Sequence, residues 1–324
     1  MVTNLQPFNL KVFIMFKHFI LTLLFLSFFL FGCGGQEKAN FYEGQRFIAV
    51  DFTRDGSILA GISKDGSVVL WDPVKQSKIQ SIDVKENRVT ALSFNKDGSL
   101  LALGQDNGQI RLLTIPDGID KDTFKTGATK VKAVSFSPDG KSLAIANKLG
   151  IEIWATSNFK KTTTLPKSGQ MQEIAWTPDS KNLIAGGSDF NLNIIPMDGT
   201  AKTSLKGHTK AVSAVAFSSD GKLFASGDRS GKIRIWTWGE KSPTSKEFQA
   251  HQGGVDSISF SADGTILASA GRDALVKTWH TQSAEPLQIF KGHLNDVKGV
   301  AFNPDGKTIA SAGLDGTVKI WEVK

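Results

Sequence analysis

Ser, His and Asp return along this chain at fixed intervals, and they are the residue types from which hydrolytic enzymes assemble a nucleophile, a base and an orienting acid. His251, Ser269 and Asp273 lead to Trp279, and His293, Ser311 and Asp315 lead to Trp321, with steps of 18, 4 and 6 residues in both runs. His208, Ser226 and Trp236 keep the frame with Ser230 at the Asp position, and Asp65 with Trp71 keeps its last step. His beside Asp also invites a metal site. Recurrence points elsewhere: a constellation that comes back with a Trp in each complete copy is what a buried network does when it satisfies polar atoms and fixes a hairpin. Cys33 is the only cysteine, so an internal disulfide and a thiolate zinc site are excluded. No cofactor and no metal are expected.

The elements that carry these residues repeat as well. An apolar strand ends in Phe52, Phe94, Phe136, Trp176, Phe217, Phe260 and Phe302, at intervals of 42, 42, 40, 41, 43 and 42 residues. Such a period marks a repeat architecture. Each aromatic runs into an Asp-Gly-type turn, and 18 or 19 residues later comes Trp71, Leu113, Trp154, Ile195, Trp236, Trp279 or Trp321. The sixth unit parses into strands at 255–260, 265–270, 275–279 and 286–290, with Asp263-Gly264 in the first hairpin, where a positive φ is needed. No segment has helical periodicity.

A four-stranded unit cannot bury both faces alone, so the units must stack around an axis until a ring closes. The expected fold is all-β: a seven-bladed β-propeller of four-stranded antiparallel blades. The last unit stops after its third strand, whereas residues 36–43 precede the first repeat as a spare strand. Pairing the two closes the ring and removes an edge. From Trp or its stand-in to the next aromatic the distance stays at 22 to 24 residues, too short for a lid, so function falls to the loops.

Residues 41–324 resemble the WD-repeat β-propeller family, on Trp71-Asp72 and on Gly207-His208, Ala250-His251 and Gly292-His293 ahead of the last three first strands. The resemblance implies a hydrogen-bonded set inside each blade. By position it comprises His251, Ser269, Asp273 and Trp279 in the sixth and His293, Ser311, Asp315 and Trp321 in the seventh. The fifth keeps His208, Ser226 and Trp236, the first only Asp65 and Trp71, and the second and third look eroded. The resemblance also implies docking of partner proteins on the face that bears the Gly-His loops and the Asp turns. Its rim would include Arg46, Lys64, Arg88, Lys130, Lys132, Lys148, Arg229, Arg272 and Lys298, a basic set suited to an acidic protein. The alternative is that these are scattered solvated charges.

Residues 1–32 read as a signal peptide, with Lys11 and Lys17 ahead of an uncharged run from Phe19 to Phe31. Thirteen residues are short for a membrane span; Met1 or Met15 could be the start. Leu30-Phe31-Gly32-Cys33 resembles the lipobox of bacterial lipoproteins, which implies a lipid on Cys33, a tether at 33–35 and a single propeller over 36–324. Gly34 resembles the outer-membrane sorting signal of two-membraned bacteria. The net charge of +7 becomes +5 once Lys11 and Lys17 are removed. Export places the body away from nucleic acid, and no recognition motif for it is present. The expected function is a non-catalytic, membrane-anchored interaction scaffold, monomeric outside its complex, not an enzyme. The alternatives are an enzyme in the channel and an accessory propeller of an envelope complex.

Overall fold

A computed structural model describes residues 34–84, 87–166, 171–239 and 243–324. The chain divides into Met1–Gly34 and Gly35–Lys324. Cys33 and the leader expected before it lie outside the described residues.

The described residues of Gly35–Lys324 form 28 strands in seven four-stranded antiparallel sheets. Strand β1 is Gln36–Tyr42, and blade one follows as β2–β5 (Phe47–Phe52, Leu59–Ser63, Val68–Asp72, Ser77–Ile82). Blade two is β6–β9 (Val89–Phe94, Leu100–Gln105, Gln109–Thr114, Asp120–Lys125) and blade three β10–β13 (Val131–Phe136, Ser142–Asn147, Gly150–Ala155, Lys160–Pro166). Blade four is β14–β17 (Met171–Trp176, Asn182–Gly187, Leu192–Pro196, Thr203–Leu205), and blade five β18–β21 (Val212–Phe217, Leu223–Asp228, Lys232–Thr237, Ser245–Gln249). Blade six is β22–β25 (Val255–Phe260, Ile266–Gly271, Val276–His280, Pro286–Phe290). Blade seven joins β26–β28 (Val297–Phe302, Thr308–Gly313, Thr317–Glu322) to β1 in the order β1-β28-β27-β26. Seven blades and the borrowed strand are as the repeat arithmetic requires. Among the described residues there is no helix.

The hairpin between first and second strands is built the same way in blades one, three, four, five and six, with Asn95 and Asn303 in place of the hydroxyl residue in blades two and seven. In blade six the Ser261 hydroxyl donates to Asp263 (2.6 Å) and accepts the Ile266 N–H (3.0 Å), while Asp263 accepts the Thr265 N–H (3.0 Å). This closes the turn with side chains and leaves Gly264 at φ 72°. Blade four has Ser180 in that left-handed position, at φ 60°, where a Cβ is disfavoured.

Blades are joined by apolar plugs. In each blade the outermost strand presents one side chain at the same register: Ile82, Phe124, Leu165, Leu205, Phe248 and Phe290, with Phe41 of β1 serving blade seven. Each abuts the Trp position of the following blade. Ring centroids lie 4.3 Å apart for Phe124 and Trp154, 4.7 Å for Phe248 and Trp279, 5.6 Å for Phe290 and Trp321, and 5.4 Å for Phe41 and Trp71. Strand β1 therefore completes blade seven and also plugs blade one. Lys319 adds an ion pair to Glu37 at 2.7 Å.

Removing residues 36–42 exposes the whole hydrogen-bonding edge of β28 and leaves Trp71 uncovered. The expected result is a protein that unfolds at lower denaturant and self-associates, read by urea titration and light scattering. A monomer of unchanged midpoint would contradict the closure.

Candidate functional site: polar blade sets, loop face and channel

In blade six, His251 Nδ1 lies 2.7 Å from Asp273 Oδ1 and its Nε2 lies 2.8 Å from Ser269 Oγ, which also accepts the Trp279 indole N–H at 2.8 Å. Blade seven repeats this with His293 2.9 Å from Asp315 Oδ2 and 2.7 Å from Ser311, and with Trp321 2.8 Å from Ser311. The geometry resembles a triad, but Ser269 and Ser311 are fully buried and each hydroxyl oxygen is held between an indole and an imidazole. A nucleophile needs an open face toward substrate, and these serines have none.

The second strand must leave room for this set. A Cβ built on Gly271 would stand 2.3 Å from His251 Cγ, and one on Gly313 would stand 2.4 Å from His293 Nδ1. Blade five fills the same register with Asp228, paired with Val212 as Gly271 is with Val255. Asp228 Oδ2 takes His208 Nδ1 at 2.8 Å, so the fifth set is complete, with Ser226 on His208 Nε2 at 2.7 Å and Trp236 on Ser226 at 2.9 Å. Ser230, at the expected Asp position, donates instead to Asp228 at 2.5 Å.

Blade one departs from the expected set. Gly61 stands where blades five, six and seven have serine, and Trp71 Nε1 is buried with no hydrogen-bond partner among the described residues. Asp65 accepts from the Ser63 hydroxyl, not from a histidine. Blade three is rebuilt rather than eroded: buried Glu152 accepts from Trp154 Nε1 (3.1 Å), Asn147 Nδ2 (3.0 Å) and the Gly127 N–H (2.7 Å). That substitution was missed because Glu152 replaces a residue two positions from the Trp rather than six.

Burial opposes ionisation of Asp273, but the His251 ring, Lys277 and the Gln252 N–H outweigh it and hold the carboxyl down to about 2. At Asp315 burial is likewise overcome, by the His293 ring and the Leu294 N–H, and its carboxyl stays well below the ordinary range.

The rim residues divide by partner. Backbone bonds from Lys64 to Arg46, from Arg229 to Ala211 and from Arg272 to Gly254 tie each turn between second and third strands to the loop entering the first strand, which makes one loop face. Arg88 pairs with Asp106 (3.2 Å), Arg272 with Asp256 (3.1 Å), and Lys298 with Asp256 (2.8 Å) and Asp296 (3.0 Å). Their charge is largely neutralised within the molecule. Lys130, Lys132, Lys148 and Arg229 form no ion pair among the described residues, nor do Arg46 and Lys64. On blades three and four the same face exposes Leu149 (51%) and Phe190 (43%).

The seven first strands wall a central channel. Each carries a bulge four residues before its aromatic, at Ile48, Thr90, Lys132, Gln172, Ser213, Asp256 and Lys298, and a bulge re-aims its side chain. One position later the residues are Ala49, Ala91, Ala133, Glu173, Ala214, Ser257 and Gly299, a ring of small side chains broken by one carboxylate. Asp51, two positions further, is the other channel carboxylate that a motif search passes over. Among the described residues no three His, Cys, Asp or Glu side chains are grouped to hold a metal ion.

Family models match parts of the chain. The WD domain, G-beta repeat matches residues 37–72, 199–237, 242–280 and 284–322, and the anaphase-promoting complex subunit 4 WD40 domain matches residues 60–129. The chain is 34% identical over 80 residues to the THO complex subunit 6 homolog of Danio rerio, covering 24% of each chain. It is 40% identical over 67 residues to the human intraflagellar transport protein 122 homolog (21% of this chain, 5% of that one). It is 42% identical over 60 residues to the human serine-threonine kinase receptor-associated protein (18% and 17%). The match spans about a quarter or less of these relatives' length. The β-propeller domain of Myceliophteria thermophila Cps50 (Swd1) superposes with a TM-score of 0.79 at 18% identity, over 90% of this chain and 100% of that one; this is a likeness of fold.

Substituting Ser269→Ala leaves His251 Nε2 and the Trp279 N–H buried without their partner, which costs about 1–3 kcal/mol in urea unfolding at pH 7. Because Asp273 titrates lower folded than unfolded, its contribution is present above the ordinary aspartate value of 3.8 and is lost as pH falls toward about 2. Asp273→Asn should therefore flatten the fall in stability over that window; an unchanged acid profile would contradict the assignment.

Proposed function

From a chain of WD40 repeats closed into a seven-bladed β-propeller, we propose a non-catalytic scaffold that docks another protein on its loop face. The observation that carries this is the contrast between buried and open polar groups: the Ser–His–Asp sets are enclosed in the blades, while cations without partners and exposed apolar side chains share one sector of the loop face. Leu149 and Phe190 supply the anchor, and Lys130, Lys148 and Arg229 supply the charge. An acidic partner with an apolar contact residue suits that sector. Relatives whose names describe a complex subunit and a receptor-associated protein agree with a docking role.

The sequence supports the same scaffold being exported and lipid-anchored through Cys33 in a bacterial envelope, on the outer membrane where there are two membranes. The chain enters the ring at β1, whose first residue lies at the end away from the loop face, so an anchor there leaves the docking sector pointing outward. Gly35, expected as free tether, already donates its N–H to the Ile289 carbonyl at 3.2 Å.

The test is crosslinking of the native protein in its envelope, compared with Lys148→Glu and Arg229→Glu together and with Cys33→Ser. We expect a specific crosslinked species that the charge reversal removes and that weakens as salt rises, and palmitate labelling that Cys33→Ser abolishes. A crosslink pattern indifferent to the reversal would refute the docking face.

A further inference from the structure

The central cavity, about 240 Å³, contains charges of both signs whose partners differ sharply. Asp256 and Lys298 satisfy each other and Arg272. Asp51 accepts backbone N–H groups from Phe52 and Phe94, clamping blade one to blade two as the Ser93 and Ser259 hydroxyls clamp their neighbours through the N–H groups of Phe136 and Phe302. Lys132 and Glu173 are left. They project from adjacent blades into the same cavity and make no bond to each other. Lys132 has no hydrogen-bond or ion-pair partner among the described residues. Glu173 accepts only the N–H of its own neighbour Ile174, at 3.3 Å.

Charges held in a confined site without partners are costly, and a natural chain that keeps two of them has reason to. Inter-blade clamping does not explain them, since neither bonds across a blade boundary. Both are partly exposed to the lumen. Confinement pushes Glu173 up to about 7, and Lys132 is pulled down by burial and by the charges of Lys130 and Arg229. The mouth is therefore cationic, and one ring below it is a single carboxylate among Ala, Ser and Gly side chains that leave the lumen open.

We propose that the channel binds a small zwitterion, its anionic group at Lys132 and its ammonium group at Glu173. The size of the cavity restricts the ligand to a metabolite of amino-acid dimensions, below the usual range for larger organic ligands. Such a ligand supplies each side chain with the opposite charge that the protein withholds, at a cost in desolvation already met by the fold. No bond is made or broken. The site is distinct from the docking sector, which uses Lys130, Lys148, Leu149, Phe190 and Arg229, so either can fail without the other.

The test is calorimetric titration of residues 34–324 with glycine, β-alanine and γ-aminobutyrate, which span increasing charge separation, with acetate and methylamine as single-charge controls. One zwitterion should bind, and Glu173→Gln and Lys132→Met should each weaken it about tenfold or more. Glu173 is faced across the cavity by Lys132, Asp51, Asp256 and Lys298, and its ionised form is the one that holds an ammonium group. Affinity should accordingly rise from pH 6 to pH 8, and the Glu173 carboxyl resonance should titrate at lower pH when ligand is bound. That resonance keeps the proposal testable should a variant unfold. No binding of any of the three zwitterions, acetate binding equally well, or a Glu173 titration indifferent to ligand would overturn it.

Discussion

The ring stands on a contact made once per blade: an apolar side chain from the outermost strand of one blade set against the Trp position of the next. Six of these side chains come from strands inside the repeat, and the seventh, Phe41, comes from the strand that begins the described chain. A four-stranded sheet with both faces apolar cannot persist alone, so each blade depends on its two neighbours. In a linear stack that dependence would leave two raw ends. Borrowing β1 converts them into one more blade interface, which is why the same short strand carries a full hydrogen-bonded edge, an aromatic plug and the Glu37–Lys319 ion pair.

Closure also decides where chemistry can and cannot occur. Within the blades every Ser–His–Asp set is sealed by its Trp, and the pull of the His on each Asp, joined at Asp273 by Lys277, serves stability. Along the axis the seven bulges line the channel, and their side chains vary from blade to blade: lysine, aspartate, glutamine or serine. The loops share this freedom. A rigid scaffold thus leaves the loop face and the lumen open to functional variation, and among the described residues Lys130, Lys148 and Arg229 in the one and Lys132 in the other have no ion-pair partner.

Much of this was legible in the sequence because it is written locally. The aromatic-to-Asp-Gly unit specifies a hairpin wherever it occurs, and seven copies at a constant period specify a ring. The missing fourth strand of the last repeat specified its own replacement. What was not legible depended on register between strands. Asp228 lies two residues from the position at which the other blades hold their aspartate, and only pairing with Val212 brings it beneath His208. Glu152 takes over a whole network from the third-strand position two before the Trp, where blades five, six and seven carry Arg234, Lys277 and Lys319. Arg88, Arg272 and Lys298 read as free cations until the fold sets Asp106, Asp256 and Asp296 against them. Glu173 had a signal that could have been read: three residues before each repeat aromatic, every other unit has Ala, Ser or Gly.

The most direct measurement of the closed ring is equilibrium unfolding of Phe41→Ala beside Phe290→Ala. If β1 is a true member of blade seven, both substitutions remove a plug at the same register, and each should lower stability in a single transition, by about 3–5 kcal/mol for buried Phe290 and somewhat less for half-buried Phe41. A Phe41→Ala protein as stable as the parent, while Phe290→Ala is not, would mean that the first strand is an ornament and the ring is held some other way.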